Sequence, residues 1–339
     1  MEHRPILVTG CPRSGTTWVG KVLGAAPEVF YIYEPFNDDA PHHLPVPERF
    51  IDLSTNAPAD LLHDLDEIMR LRAFGTRASG LLRWGLERGM RRAPNRAARH
   101  AAACLSRRRQ QFFSATRVCL KDPLAFYSAE WLAEHCDAEV VVLVRHPAGV
   151  VSSYLGLDWL PEHEAILARP PPPGMPDLAD DIERYRAGGM SRLEALVLQW
   201  RVFTAHTLDM QARRPDWTFI LHEALCDDPV GEFSRLFGAL SIPFTDHTRA
   251  VIEEGSGEGN AVDGTKHVQH SHKRASRDLA SAWRKRLSDA DIDYILQKAG
   301  GLWEEAQRRL APAGAAVAPA LLQPAQSGGD ALPMGRAHD

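Results

Sequence analysis

Short apolar runs alternate along this chain with longer stretches whose apolar residues recur every three or four positions. The runs fall at 5–9, 29–33, 116–120, 139–144 and 218–222 and predict five strands. The fourth reads Glu-Val-Val-Val-Leu-Val, nearly unbroken and β-branched, as in a parallel strand covered on both faces. Helical spacing predicts helices at 16–25, 124–134, 148–155, 192–212, 230–239 and 290–298. This alternation predicts an α/β fold: an open, mainly parallel sheet with helices on both faces. Ligands of such sheets bind at the carboxyl ends of the strands. Gly10, after the first strand, and Arg145, after the fourth, therefore belong to one edge.

Two segments break the alternation. Residues 38–112 are polar at first, then helical and arginine-rich. Residues 156–190 contain Arg169-Pro170-Pro171-Pro172-Pro173-Gly174, a loop sequence. Beyond about residue 311 the chain is rich in Ala, Pro and Gly and poorly patterned. We expect one domain over 1–310, with insertions near 38–112 and 156–190, and a disordered tail over 311–339.

Composition narrows the class. A chain of 339 residues is long enough for a sizeable core. Hydrophobic and charged fractions of 44% and 24% are ordinary for a soluble globular protein. A net charge of −5 argues against a general nucleic-acid binder. No apolar stretch is long enough to span a bilayer, and the first strand begins too early for a signal peptide. The five cysteines are an odd number with no Cys-x-x-Cys pair, so we expect reduced thiols, a cytoplasmic location and no zinc site.

The chemistry starts in the loop after the first strand, Gly10-Cys11-Pro12-Arg13-Ser14-Gly15-Thr16-Thr17-Trp18. A strand, a glycine-bearing loop and a helix start aim backbone N–H groups and a positive dipole end at an anion. Gly10-x4-Gly15 has the Walker A spacing, but Thr16 stands where that motif has lysine, and Arg13 lies inside the loop. The loop is suited to a phosphate, though not to a magnesium-bound triphosphate. Arg13 adds a forked, permanently charged donor. A second cluster begins at Arg145, which ends a buried strand. Ser153 lies eight residues on, about two helical turns, and can face the same way. Together they suit a second phosphate.

These two clusters resemble the sulfotransferases that use 3′-phosphoadenosine 5′-phosphosulfate (PAPS). The resemblance implies a P-loop NTPase-like core and extends from residue 5 to about 305. It implies that Arg13, Ser14, Gly15, Thr16 and Thr17 bind the 5′-phosphosulfate and that Arg145 and Ser153 bind the 3′-phosphate. It also explains the missing lysine, because PAPS has no β,γ-phosphates, and it implies no metal.

Glu34 ends the second strand, 21 residues after Arg13. Transfer to a hydroxyl needs a base for the acceptor proton. In the tyrosylprotein sulfotransferases, which this spacing resembles, a Glu is that base. Lys121-Asp122-Pro123 resembles the tyrosylprotein and carbohydrate branches, which implies that Lys121 meets the charge on the bridging oxygen. The cytosolic small-molecule branch has a catalytic His near this point, and none directly follows Lys121. Asp122 is the fallback base, with helix capping its ordinary role. A late polar segment holds Lys273 and Arg274, which the resemblance implies cover the 3′-phosphate. His267, His270 and His272 there are read as solvated, and Glu223 as structural.

The resemblance implies a hydroxyl-bearing acceptor, a carbohydrate, glycolipid or other metabolite, with a peptidyl tyrosine as a third option. From Arg83 to Arg109 there are nine arginines and one glutamate. A solvated face, contact with an anionic acceptor, and a peripheral membrane contact through 81–109 all remain open for that stretch. Two other functional classes stay open as well: a P-loop kinase acting on a small molecule, and a nucleotide-binding protein without catalysis.

Overall fold

The computed structural model describes residues 4–40, 43–70, 115–161, 166–167, 169–173, 175–256 and 276–311. The arginine-rich stretch 83–109, Lys273, Arg274, the three late histidines and the tail beyond 311 lie outside these described residues.

In chain order the elements are β1 (Ile6–Gly10), α1 (Thr16–Leu23), β2 (Val29–Tyr33), α2 (Leu53–Asn56), α3 (Ala59–Met69) and β3 (Arg117–Lys121). A 3₁₀ turn (Pro123–Ser128) leads into α4 (Ala129–His135), β4 (Glu139–Val144), α5 (Pro147–Leu157), α6 (Pro176–Arg186), α7 (Arg192–Arg213) and β5 (Thr218–Leu221). Then follow α8 (His222–Asp227), α9 (Pro229–Ala239), α10 (Asp246–Ser256), α11 (Ser276–Ser281), a second 3₁₀ turn (Ala282–Lys285) and α12 (Asp289–Leu310).

All five expected strands form. They pair in parallel in the order β2-β3-β1-β4-β5, with β1 at the centre. Side chains alternate between the two faces of a strand. Leu7 joins one buried cluster, with Leu120, Val142, Trp200 and Trp303. Its neighbours Ile6 and Val8 join the other, with Val19 and Leu23 of α1 and Phe233 and Phe237 of α9. The sheet is therefore covered by helices on both faces, as the unbroken run at 139–144 requires, and the architecture is the P-loop NTPase-like α/β fold.

Several elements differ from the sequence pattern. The helix expected at 124–134 starts as a 3₁₀ turn, because Pro123 and the Asp122 carboxylate fix its first residues. The helix expected at 290–298 runs on through Gly300 and Gly301 to Leu310. Packing on α7 outweighs the helix cost of two glycines, about 1 kcal/mol each. Arg309 contributes to that packing, donating to Leu208 O at 2.7 Å. Within the two insertions, α2, α3 and α6 are helices that the polar composition concealed. Arg169 clasps the insertions together, donating to Asp52 at 2.8 Å.

Candidate active site

Four strands deliver the site from their carboxyl ends. β1 leads into the loop first. Gly10 has φ +138°, and a Cβ there would sit 2.3 Å from the Leu143 carbonyl oxygen on β4. The chain turns left-handed again at Arg13 (φ 73°) and Gly15 (φ 101°). It then enters α1 with no side chain capping the helix start. The Ser14 N–H is spent inside the turn, on Cys11 O at 3.1 Å. The first N–H groups of α1 have no acceptor within the helix. Ser14 Oγ is buried with no hydrogen-bond partner among the described residues. An uncapped helix start beside an orphaned hydroxyl fits a bound anion. The His222 ring closes one wall, with Cδ2 2.6 Å from where a Gly15 Cβ would be.

Arg13 links this loop to β4 and α5. Its Nε donates to Ser153 Oγ at 2.9 Å, and its carbonyl accepts from Arg145 Nη1 at 3.1 Å. Arg145 and Ser153 thus reach one locality with Arg13 between them. Arg145 lies flat along α5 because residue 149 is glycine: a Cβ there would be 2.8 Å from its Nε. Its carbonyl is anchored by Trp200 Nε1 at 2.8 Å. The guanidinium of Arg13 also packs over Trp159, 5.2 Å from the ring centre.

β2 and β3 supply the second half. The Glu34 N–H donates to Lys121 O at 2.8 Å, so the two residues lie side by side. Lys121 is wholly buried; its ammonium donates to Glu34 Oε1 and sits 4.1 Å from the centre of the Tyr33 ring. Burial pulls the Lys121 pKa below its usual value, and the charge of Glu34 opposes that shift. Asn37 Nδ2 donates to Glu34 Oε2 at 2.7 Å.

Asp122 behaves differently. Its two oxygens accept the N–H groups of Phe36 (2.6 Å) and Leu124 (2.9 Å). Burial pushes its carboxyl up to about 7, with the Phe36 N–H working against that shift. Both oxygens hold backbone, which fits a clamp on the Glu34–Phe36 turn and the helix cap foreseen for it. Glu223 likewise accepts the His146 N–H at 3.0 Å. Its burial is outweighed by the hydrogen bond and charge of His222, so its pKa lies below the usual range.

The structure brings together Arg13, Ser14, Gly15, Thr16, Thr17, Arg145 and Ser153 around one loop, and Glu34 with Lys121 beside it. Asn37 and Trp159 join them without any motif to announce them. Gly149 and His222 join them from segments the sequence does mark, Gly149 four residues after Arg145 and His222 in Leu221-His222-Glu223.

The model of the Sulfotransferase family matches residues 5–246 of this chain. No curated protein matches it. Among solved structures, the sulfotransferase domain from the curacin biosynthetic pathway is similar at 15% identity and a TM-score of 0.46, over 88% of this chain and 97% of that one. Sulfotransferase STF9 from Mycobacterium avium is similar at 15% identity and a TM-score of 0.42, over 90% and 77% of the two chains. Mouse sulfotransferase SULT7A1 complexed with PAP is similar at 14% identity and a TM-score of 0.40, over 91% and 88%.

Proposed function

This chain belongs to the sulfotransferase family, and from that premise we propose that it moves the sulfuryl group of PAPS to an acceptor hydroxyl. The observation that carries the donor assignment is the joining of Arg13, Ser153 and Arg145 beside an uncapped helix start. Such a cluster offers two neighbouring phosphate sites, as a 3′,5′-bisphosphate needs.

The donor supplies an activated sulfuryl group on a bridging oxygen. Arg13, the Ser14 hydroxyl and the main chain of residues 15–17 hold the 5′-phosphosulfate, since the Ser14 N–H is bonded to Cys11 O. Arg145 and Ser153 hold the 3′-phosphate, with Lys273 and Arg274 covering it. Lys121 meets the negative charge left on the bridging oxygen. Glu34 takes the proton from the acceptor hydroxyl. The Glu34 and Lys121-Asp122-Pro123 patterns support an acceptor hydroxyl on a carbohydrate, glycolipid or related metabolite.

The test is a calorimetric titration with 3′-phosphoadenosine 5′-phosphate (PAP), with and without magnesium, beside ATP-magnesium. We expect binding of the bisphosphate that does not need the metal. Preference for ATP-magnesium would give the site to a kinase instead.

A further inference from the structure

The base and the lysine proposed above are bonded to each other, Glu34 Oε1 accepting from the Lys121 ammonium. A carboxylate oxygen carries a second lone pair and an ammonium has three N–H donors, so Oε1 can also face an acceptor hydroxyl and Lys121 can also face a bridging oxygen. That double duty needs the carboxylate held in one orientation. Glu34 stands at a left-handed turn (φ 44°) with its side chain at the rim of the site.

Asn37 provides that hold. Its Oδ1 accepts the Asp39 N–H at 3.1 Å and Arg49 Nη1 at 3.4 Å. That fixes the orientation of the amide, so the group facing Glu34 Oε2 at 2.7 Å is the Nδ2 donor. Arg49 is itself held by Asp38 at 2.7 Å. The Asn37 N–H closes the turn on Glu34 O at 3.1 Å. A neutral donor holds a carboxylate without discharging it.

We propose that Asn37 is a positioning residue for the transfer: it holds Glu34 Oε2 so that Oε1 faces the acceptor proton while Lys121 reaches the donor. The inference rests on the donor and base assignments above. In the step itself the acceptor O–H proton goes to Glu34 Oε1 while the acceptor oxygen forms the new O–S bond. The S–O bond to the 5′-phosphate breaks, and its electron pair stays on the phosphate oxygen, facing Lys121.

A role exercised through Glu34 has a measurable consequence. Replacing Asn37 matters to the transfer only while Glu34 can act as the base, whereas a scaffold role of Asn37 persists in a Glu34→Gln variant.

The experiment measures PAP affinity by calorimetry, unfolding in urea, and PAP release from PAPS, on wild type, Asn37→Ala, Glu34→Gln and the double variant. We expect Asn37→Ala to bind PAP within about twofold of wild type and to release PAP from PAPS about 10-fold more slowly. Added to Glu34→Gln, the same change should cause no further loss of the residual release. An Asn37→Ala variant that turns over like wild type would overturn the inference. So would an equal loss in the Glu34→Gln background, which a scaffold role produces. Failure of wild type to bind PAP at all is a separate result and removes the donor assignment itself.

Discussion

Arg13 Nε and Ser153 Oγ are hydrogen-bonded at 2.9 Å across 140 positions of sequence. The contact ties the loop that starts the fold to the second turn of α5, and it gives the proposed phosphate site its shape. Arg145 completes the cluster through the Arg13 carbonyl.

This geometry separates binding from chemistry. Arg145→Ala should weaken PAP on the order of 10- to 100-fold, because it removes charge-assisted hydrogen bonds to phosphate. Glu34→Gln should not weaken PAP, since it removes only the competing partner of Lys121. It should instead cut transfer to a residual level. Titration of both variants with PAP checks this, and equal loss of affinity would erase the division of roles.

The two loop glycines should fail in different ways. A Cβ at Gly10 meets the backbone oxygen of Leu143 at 2.3 Å, at a φ that other residues rarely adopt. Gly10→Ala should cost about 3 kcal/mol or more of stability, since the central strand pair must part. A Cβ at Gly15 meets only the edge of His222. Gly15→Ala should lose less stability and more PAP affinity. Urea unfolding alongside PAP titration checks the pair, and an unchanged midpoint for Gly10→Ala would contradict it.

Much of this was legible in the sequence for definable reasons. Strands such as 139–144 are buried on both faces, so their composition alone marks them. The loop and Arg145 follow strands directly and inherit their positions from them. The pairing of Glu34 with Lys121 was not legible. Each residue ends its own strand, and their contact depends on β2 lying beside β3, which only the sheet order determines. Asn37 had no pattern at all, because its role arises from a turn that Asp122 pins from another strand. The continuation of α12 past Gly300 was hidden too, since it depends on packing with α7 and not on local propensity.

His146 should make stability fall in acid. Its ring is stacked on Trp283, 4.7 Å between centroids. Burial lowers its pKa from 6.5 to about 4, with Glu223 opposing. The unfolded chain binds this proton more readily than the folded one. The contribution is therefore whole above about pH 6.5 and is lost as pH falls towards 4, by up to about 3 kcal/mol. Asp122, raised to about 7, acts with the opposite sign: its contribution is present in acid and is lost as pH rises towards 7. His146→Asn keeps an acceptor for the Ala148 N–H and leaves Asp122 alone. Its stability, measured by urea unfolding from pH 4 to 8, should lack the acid fall attributed to the imidazole. An identical pH slope in both proteins would assign that fall elsewhere.

In the proposed mechanism Lys121 sets function against stability. Its side chain is wholly buried and spends its charge on one carboxylate. Removing one member of a buried ion pair strands the other charge, whereas replacing both by neutral residues of similar shape is often neutral or stabilising. Glu34 is itself largely buried. Lys121→Met should therefore cost up to about 3–5 kcal/mol, and Lys121→Met combined with Glu34→Gln should unfold within about 1 kcal/mol of wild type. Lys121→Met alone removes the group proposed to meet charge on the leaving oxygen, so turnover of PAPS should fall by about 10²–10³-fold. Urea unfolding and PAP release from PAPS, run on one preparation, check both halves. If Lys121→Met lost its stability and kept its turnover, the lysine would be scaffold, and the charge on the bridging oxygen would have to be met by Arg13 instead.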